Sequence, residues 1–155
     1  MIRPLTGNVP YPAAIRISRA ACRTGREMKY VAGQKPYDGT EQFETSSGLS
    51  RPRFERYKEI RRNHIECRTF SPSYGWLYNA AKMNWYLQRS AWKDIVAPIL
   101  FVSGQKRTSL VSLKAQDIFA EKINNCGKTS CTLIRMAGTK HEIFNAQDEI
   151  LETYW

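Results

Sequence analysis

The sequence predicts an α/β fold, and three features of residues 94–155 support that prediction. Two short apolar runs, 95–103 and 129–136, have the composition of strands in a parallel sheet. A helical pattern at 112–123 separates them, with Leu113, Ile118 and Phe119 predicted to face inward. A further helix begins near residue 147. The order strand, helix, strand, loop, helix is that of a βαβα unit.

Residues 1–93 have a different character and predict helices without a strand. Prolines and a glycine make residues 1–12 a loop, and helices are predicted at 13–23, 52–67 and 74–89. Between the first two lies a segment, 30–50, that we expect to be irregular and anchored by Tyr30, Tyr37 and Phe43. The chain is therefore divided into a helical, cap-like region, 1–93, and a βαβα region, 94–155.

A parallel unit of two strands has two faces and two edges that need neighbours. We therefore interpret residues 94–155 as the end of a larger sheet and residues 1–93 as a helical insertion before it. The chain is expected to be truncated at the N-terminus relative to a complete fold of this kind.

Composition places the chain among folded proteins, with 42% hydrophobic and 25% charged residues in 155. The net charge is +10, and residues 1–70 carry 14 Lys and Arg against 7 Asp and Glu. Such a charge fits a basic module that binds an anionic surface, either nucleic acid or membrane, or a solvated face without a fixed partner. No helix-turn-helix, zinc or RNA-binding signature occurs, so no specific nucleic acid is expected.

The cysteines indicate reduced thiols and a cytoplasmic location. Cys22, Cys67, Cys126 and Cys131 form no CxxC pair, and no histidine follows at zinc-finger spacing. We expect neither a metal nor a cofactor. No stretch approaches the ~18 consecutive apolar residues of a membrane span.

One histidine lies where α/β proteins hold their sites. His141 follows the second predicted strand by five residues, and loops at the carboxyl ends of parallel strands commonly carry function. A neutral imidazole there can act as a general base. A loop histidine with ordinary hydrogen bonds is the alternative.

Two segments, APILFVSGQ and CTLIRMAGTKHEIFNAQDEI, resemble the last third of the α/β-hydrolase fold, in its lysophospholipase and monoglyceride-lipase branch. In that family the final histidine follows the last strand, and His141, Glu142 and Asp148 match the pattern. The resemblance implies that His141 is the catalytic histidine. Glu142 could support the histidine loop through hydrogen bonds, and Asp148 fits helix capping as well as a role at that loop.

The first half resembles the cap of the same branch, in LSRPRFERY at 49–57 and FSPSYGW at 70–76. In such a cap Tyr74 and Trp76 could line an acyl-chain channel for the substrate, and packing in the core is the alternative. Basic side chains of the cap could meet phosphate headgroups, among them Arg53, Arg56, Arg61 and Arg62.

The sequence departs from the family at two catalytic positions. The Gly-x-Ser-x-Gly nucleophile motif is absent, since no two glycines are four residues apart. The residues after Gly104 are Gln, Lys, Arg and Thr, and the next carboxylate is Asp117 on the following helix, so the acidic triad member is unassigned.

The resemblance therefore implies part of a serine hydrolase that acts on a lysophospholipid or monoacylglycerol ester and is inactive alone. It would need an N-terminal hydrolase half, and could contact the anionic inner membrane peripherally. A non-catalytic remnant of a hydrolase is the alternative.

Overall fold

The computed structural model describes residues 9–68, 71–106 and 111–153. Over these residues the predicted order of elements is confirmed. Its α-helices are α1 (Tyr11–Arg23), α2 (Arg51–Asn63), α3 (Tyr74–Arg89), α4 (Leu113–Cys126) and α5 (Asp148–Glu152), and its strands are β1 (Ile99–Gly104) and β2 (Cys131–Met136).

Helices α1 and α3 pack together around a small apolar cluster. Ala14, Val31 and Leu77 are its buried members. The chain between the helices is tied to the start of α3, because Val31 N–H donates to Pro72 O and Tyr74 N–H donates to Lys29 O. The Ser73 hydroxyl caps α3 by accepting from Trp76 N–H at 3.1 Å. These bonds fix the beginning of α3 at the residue that the sequence predicts.

The segment before α2 is irregular, and aromatic rings hold it as predicted. Phe43 meets Phe54 of α2 edge-on, with 5.5 Å between ring centroids. The Arg61 guanidinium lies over both Tyr37 and Tyr57, at 5.4 and 4.2 Å from the ring centroids. The loop is therefore fastened along the length of α2.

Strands β1 and β2 pair in parallel, in the register Ile99 to Cys131 through Gly104 to Met136. Helix α4 connects them and covers one face of the sheet. The core there is a cluster of buried Ala120, Ile123 and Cys131, onto which partly buried side chains pack: Trp92, Ile95, Ile99, Phe101, Phe119 and Leu133. The strands and helix thus form the predicted βαβ unit.

The first strand begins four residues later than the sequence pattern indicates. Pro98 has no N–H to donate, and the ladder starts where Ile99 N–H donates to Ser130 O at 2.9 Å. The prediction that this strand is buried is also only half correct. Leu100 is 65% exposed and Ile134 38% exposed on the face opposite α4, where the described residues provide no covering helix.

The inward face of α4 was predicted wrongly at one position. Ile118 is 40% exposed, whereas Gln116, Ala120 and Ile123 are buried. The buried residues follow a spacing of four and three, and Ile118 lies off that stripe. Gln116 replaces an apolar residue inside because its Oε1 accepts from Ser103 Oγ at 2.8 Å and from Arg135.

The division between residues 93 and 94 stays a prediction. Side chains on either side of it share one cluster, since Trp92 and Ile95 both pack against the core beneath α4. Lys122 and Lys128 also donate to the carbonyls of Gln88 and Lys93. Within the described ranges, no helix combines the length and apolar character needed to cross a membrane.

Replacing Ile123 by Ala is expected to lower the free energy of unfolding by ~2–4 kcal/mol, because the side chain is fully buried and its loss leaves a cavity. Ile118→Ala on the same helix is the matched control, with an expected loss below ~1 kcal/mol. Urea unfolding followed by circular dichroism measures both. Equal losses would contradict the position of the core.

Candidate active site

The carboxyl ends of β1 and β2 meet in a close backbone contact. A Cβ at Gly104 would overlap the carbonyl of Lys140, so only glycine fits there. The chain beyond Gly104 continues the contact, since Gln105 N–H donates to Met136 O at 3.1 Å and Lys106 N–H donates to Thr139 O at 2.9 Å. The loop after β2 is therefore held against the loop after β1.

Thr139 fixes the first turn of the loop after β2. Its side chain is fully buried, and its hydroxyl donates to Met136 O at 2.9 Å. One residue on, Lys140 reaches across to donate from Nζ to Ser46 O at 2.8 Å. His141 thus follows two anchored residues, and its backbone position is determined by both β1 and the segment before α2.

The His141 side chain is mostly buried, at 19% exposed. Its Nε2 lies 3.9 Å from Oε1 of Glu142, which is beyond hydrogen-bonding distance. Its Nδ1 is inaccessible to solvent and has no hydrogen-bond partner among the described residues. A buried polar atom that is left unsatisfied costs ~1–3 kcal/mol.

The segment after His141 docks on the start of α2. Leu49 N–H and Ser50 N–H both donate to Asn145 O, at 2.7 and 2.9 Å. Arg53 donates to Ala146 O at 2.8 Å and also pairs with Asp148. The helical region and the strand region are therefore joined at the histidine loop.

Glu142 and Asp148 lie close to His141 along the chain but bind other groups. Glu142 Oε2 accepts from Asn145 Nδ2 at 2.8 Å, and Asp148 pairs with Arg53. Neither bond involves the imidazole. Their role as supports of the histidine loop stays a prediction, and the geometry gives each a specific partner through which to act.

The carboxylate that follows β1 in sequence is not beside His141. Asp117 lies on α4 and pairs with Arg135 of β2, with 2.5 Å between Oδ1 and Nη2. Of the residues that follow Gly104, Gln105 and Lys106 are described, whereas Arg107 and Thr108 lie outside the described residues. The described part of the chain brings no carboxylate into hydrogen-bonding contact with the imidazole.

Tyr74 and Trp76 have different surroundings. Tyr74 is partly buried and packs against the cluster between α1 and α3, which gives it a structural contact. Trp76 is 48% exposed. Neither side chain is hydrogen-bonded to His141, and their assignment to a substrate channel stays a prediction.

Of the four cap arginines, two make internal contacts and two are exposed. Arg53 binds the segment after His141, and Arg61 pairs with Glu41 between two tyrosine rings. Arg56 and Arg62 are exposed. The part of the chain that the structure describes holds no group of three or more His, Cys, Asp or Glu side chains placed to bind a metal ion.

Comparison with solved structures finds one neighbour that spans nearly the whole chain. It is a soluble variant of monoglyceride lipase from Saccharomyces cerevisiae, crystallised with a substrate analogue, with 14% sequence identity and a TM-score of 0.56. The fold resembles that of a lipase. This likeness supports an α/β-hydrolase-like fold, and it concerns the fold alone.

The match covers 99% of this chain and 48% of the lipase, so the chain spans about half the length of that protein. No model of a protein family and no curated protein matches the sequence.

Sequence reasoning missed the residues that hold the histidine loop. Gly104 was read as the end of a strand, and its contact with Lys140 has no local signal. Ser46 and Asn145 supply carbonyls to the loop contacts, and any residue type can do that. The sequence suggests that Arg53 could meet phosphate headgroups, whereas its partners in the structure lie 93 and 95 residues away.

Gly104→Ala is expected to displace the Lys140 carbonyl and lower the free energy of unfolding by ~1–3 kcal/mol, the usual cost of overpacking. The same change should shift the imidazole resonances of His141, measured by NMR. Gly25→Ala is the control, because its Cβ would meet nothing within 4 Å and only its positive φ of 70° costs energy. Unchanged His141 resonances in Gly104→Ala would contradict the coupling of the two loops.

Proposed function

We propose that this chain is the histidine-bearing part of a serine hydrolase that acts on carboxylic esters, with a lysophospholipid or monoacylglycerol as substrate. The observation that carries the proposal is the buried Nδ1 of His141, in the loop at the carboxyl end of a parallel strand, for which the described residues offer no hydrogen-bond partner. A triad histidine needs an acceptor at this atom to fix its tautomer and orientation. The likeness of the fold to that of a monoglyceride lipase motivates the choice of this reaction class.

The proposed chemistry assigns one role to His141. Its Nε2 would take the proton from a serine hydroxyl as that oxygen attacks the ester carbonyl, and would return it to the leaving alcohol. The acyl-enzyme would then be hydrolysed by a water that the same nitrogen deprotonates. Glu142 and Asp148 would act by holding the loop, through Asn145 and Arg53.

The nucleophile must come from outside residues 1–155, because the sequence contains no Gly-x-Ser-x-Gly motif. The oxyanion hole is proposed to come from the same source, a hydrolase half that precedes this part in a complete fold, whereas the acceptor for Nδ1 stays unassigned. Without the nucleophile and the oxyanion hole the chain loses most of the rate enhancement of the reaction.

The purified chain is expected to show no His141-dependent turnover of p-nitrophenyl butyrate. Added to the polypeptide encoded directly upstream of Met1 in the source genome, it should give turnover that His141→Ala abolishes. His64→Ala is the matched control, because this histidine lies on the surface with 57% of its side chain exposed.

Two outcomes separate the proposal from its alternatives. Turnover by the chain alone that His141→Ala removes would mean that an unrecognised nucleophile lies within these residues. No turnover with any upstream polypeptide would favour a non-catalytic remnant of a hydrolase.

We propose in addition that α3 contacts the surface of an anionic membrane. Large side chains are exposed along this helix, with Met83 at 66%, Trp85 at 60% and Tyr86 at 51%. Cations accompany them, since Arg89 lies over the Trp85 ring at 5.1 Å and Lys82 is exposed. Tryptophan, tyrosine and basic residues together are typical of surfaces that bind the headgroup region.

Trp85→Ala is expected to reduce co-sedimentation of the chain with phosphatidylglycerol vesicles by at least ~3-fold, since an interfacial aromatic side chain is lost. Ile65→Ala is the control, because that side chain is 77% exposed and lies outside α3. Equal binding to phosphatidylcholine vesicles, or equal loss in both variants, would contradict an anionic surface bound through α3.

A further inference from the structure

The histidine loop, residues 137–147, is a connection whose two ends lie side by side. A Cβ placed on Gly138, at its start, would be 3.0 Å from Cδ1 of Ile150, which lies in α5 just beyond its end. The residues between these ends include His141 and a short 3-10 helix, Ile143–Asn145. Because the ends lie together, a contact at either end constrains the residues between them.

Two basic side chains cross between the histidine loop and the helical region, in opposite directions. Lys140 Nζ donates outward to Ser46 O, and Arg53 of α2 donates inward to Ala146 O, each at 2.8 Å. Lys140 directly precedes His141, and Ala146 directly follows the 3-10 helix. His141 therefore lies between two points at which the helical region holds the loop.

Arg53 makes two bonds of different kinds at the end of the loop. One Nη donates to the carbonyl of Ala146, a residue that is 1% exposed, and the other pairs with Asp148, whose side chain is 69% exposed. Exposed ion pairs contribute little, so the bond to the Ala146 carbonyl is the one that holds the loop. A guanidinium suits this position because its planar fork reaches two acceptors at once.

The neighbouring contacts at this boundary use backbone groups. Leu49 and Ser50 donate from their N–H groups to Asn145 O, which any residue except proline can do. The identity of the side chain at Arg53 therefore decides how α2 holds the end of the loop. Its bonds within the described ranges go to Ala146 and Asp148, so it acts on His141 through the loop.

We infer that Arg53 is a positioning residue for His141. By holding Ala146 from α2, it keeps the loop closed around the imidazole, whose side chain is 19% exposed, and so fixes the direction in which Nε2 points. The helical region thereby controls the orientation of the proposed general base. The catalytic consequence rests on the proposed function, whereas the positioning itself is measurable in this chain alone.

The chain has two histidines, which allow a direct test of the positioning. Arg53→Met keeps an unbranched stem and removes both donors, so diethyl pyrocarbonate should modify His141 ~5-fold faster, the fold-change of about one lost hydrogen bond. His64, which follows α2 and has 57% of its side chain exposed, should keep its rate. Mass spectrometry of the two histidine peptides measures both rates in one sample.

Two further variants bracket this result. Arg53→Lys keeps the charge but cannot bond to both acceptors, and should give an intermediate rate at His141. Arg19→Met is the matched control, because it removes an exposed arginine from α1 and should change neither rate. An unchanged rate at His141 in Arg53→Met would overturn the inference. So would an equal rise at both histidines, because that result means that α2 itself is lost.

The catalytic consequence is measured with the upstream polypeptide added. Arg53→Met should lower kcat for p-nitrophenyl butyrate at least ~10-fold and leave KM unchanged, because the base is misdirected while the substrate contacts remain. Arg53→Lys should recover part of the loss, and a rise in KM with kcat unchanged would overturn the positioning role. A wild-type mixture without turnover would refute the proposed function, and the modification rates would still decide whether Arg53 positions His141.

Discussion

The position of the candidate site depends on one close contact, between Gly104 at the end of β1 and the Lys140 carbonyl after β2. The absence of a Cβ lets the two backbones approach, and the next two amides of the first loop bond to the second. This contact brings the carboxyl ends of the parallel strands together. Parallel sheets place their sites at these ends because loops from successive strands meet there.

A second set of contacts fastens the helical region to the same loop. The carbonyls of Asn145 and Ala146 accept from the start of α2, and Lys140 donates back to Ser46. His141 lies between these anchors. Its imidazole is mostly enclosed, and its Nδ1 is left without a partner in the described residues. The proposed function requires that a group from outside the described residues bonds to this atom.

The sequence predicts the elements well where the signal is local. Helix α3 has its predicted bounds because Ser73 caps it, and α4 begins after Ser112, whose hydroxyl accepts from Ala115 N–H. Burial is harder to predict, because the Oε1 of buried Gln116 accepts from Ser103 and Arg135, which are 13 and 19 residues away. The exposure of Leu100 depends on which neighbours a strand has, and its own pattern cannot show that.

The location of His141 in the loop after β2 is predictable from the sequence, because it follows a short apolar run, and its catalytic role stays a prediction. The contacts that hold this loop are not predictable, because the partners of Gly104 and Arg53 are distant in sequence and include backbone carbonyls. The structure therefore shows the contacts that position His141, which the sequence does not indicate. The likeness to a lipase concerns the fold in which these contacts occur.

The central claim is that His141 activates a serine that lies outside this chain. Labelling with a fluorophosphonate probe measures such activation directly, because the probe reacts with a serine only when its hydroxyl is activated. The account predicts that the chain alone is not labelled, and that a serine of the upstream polypeptide is labelled when this chain is added but not when His141→Ala is added. A labelled serine within residues 1–155, or labelling of the upstream polypeptide that does not depend on His141, would contradict it.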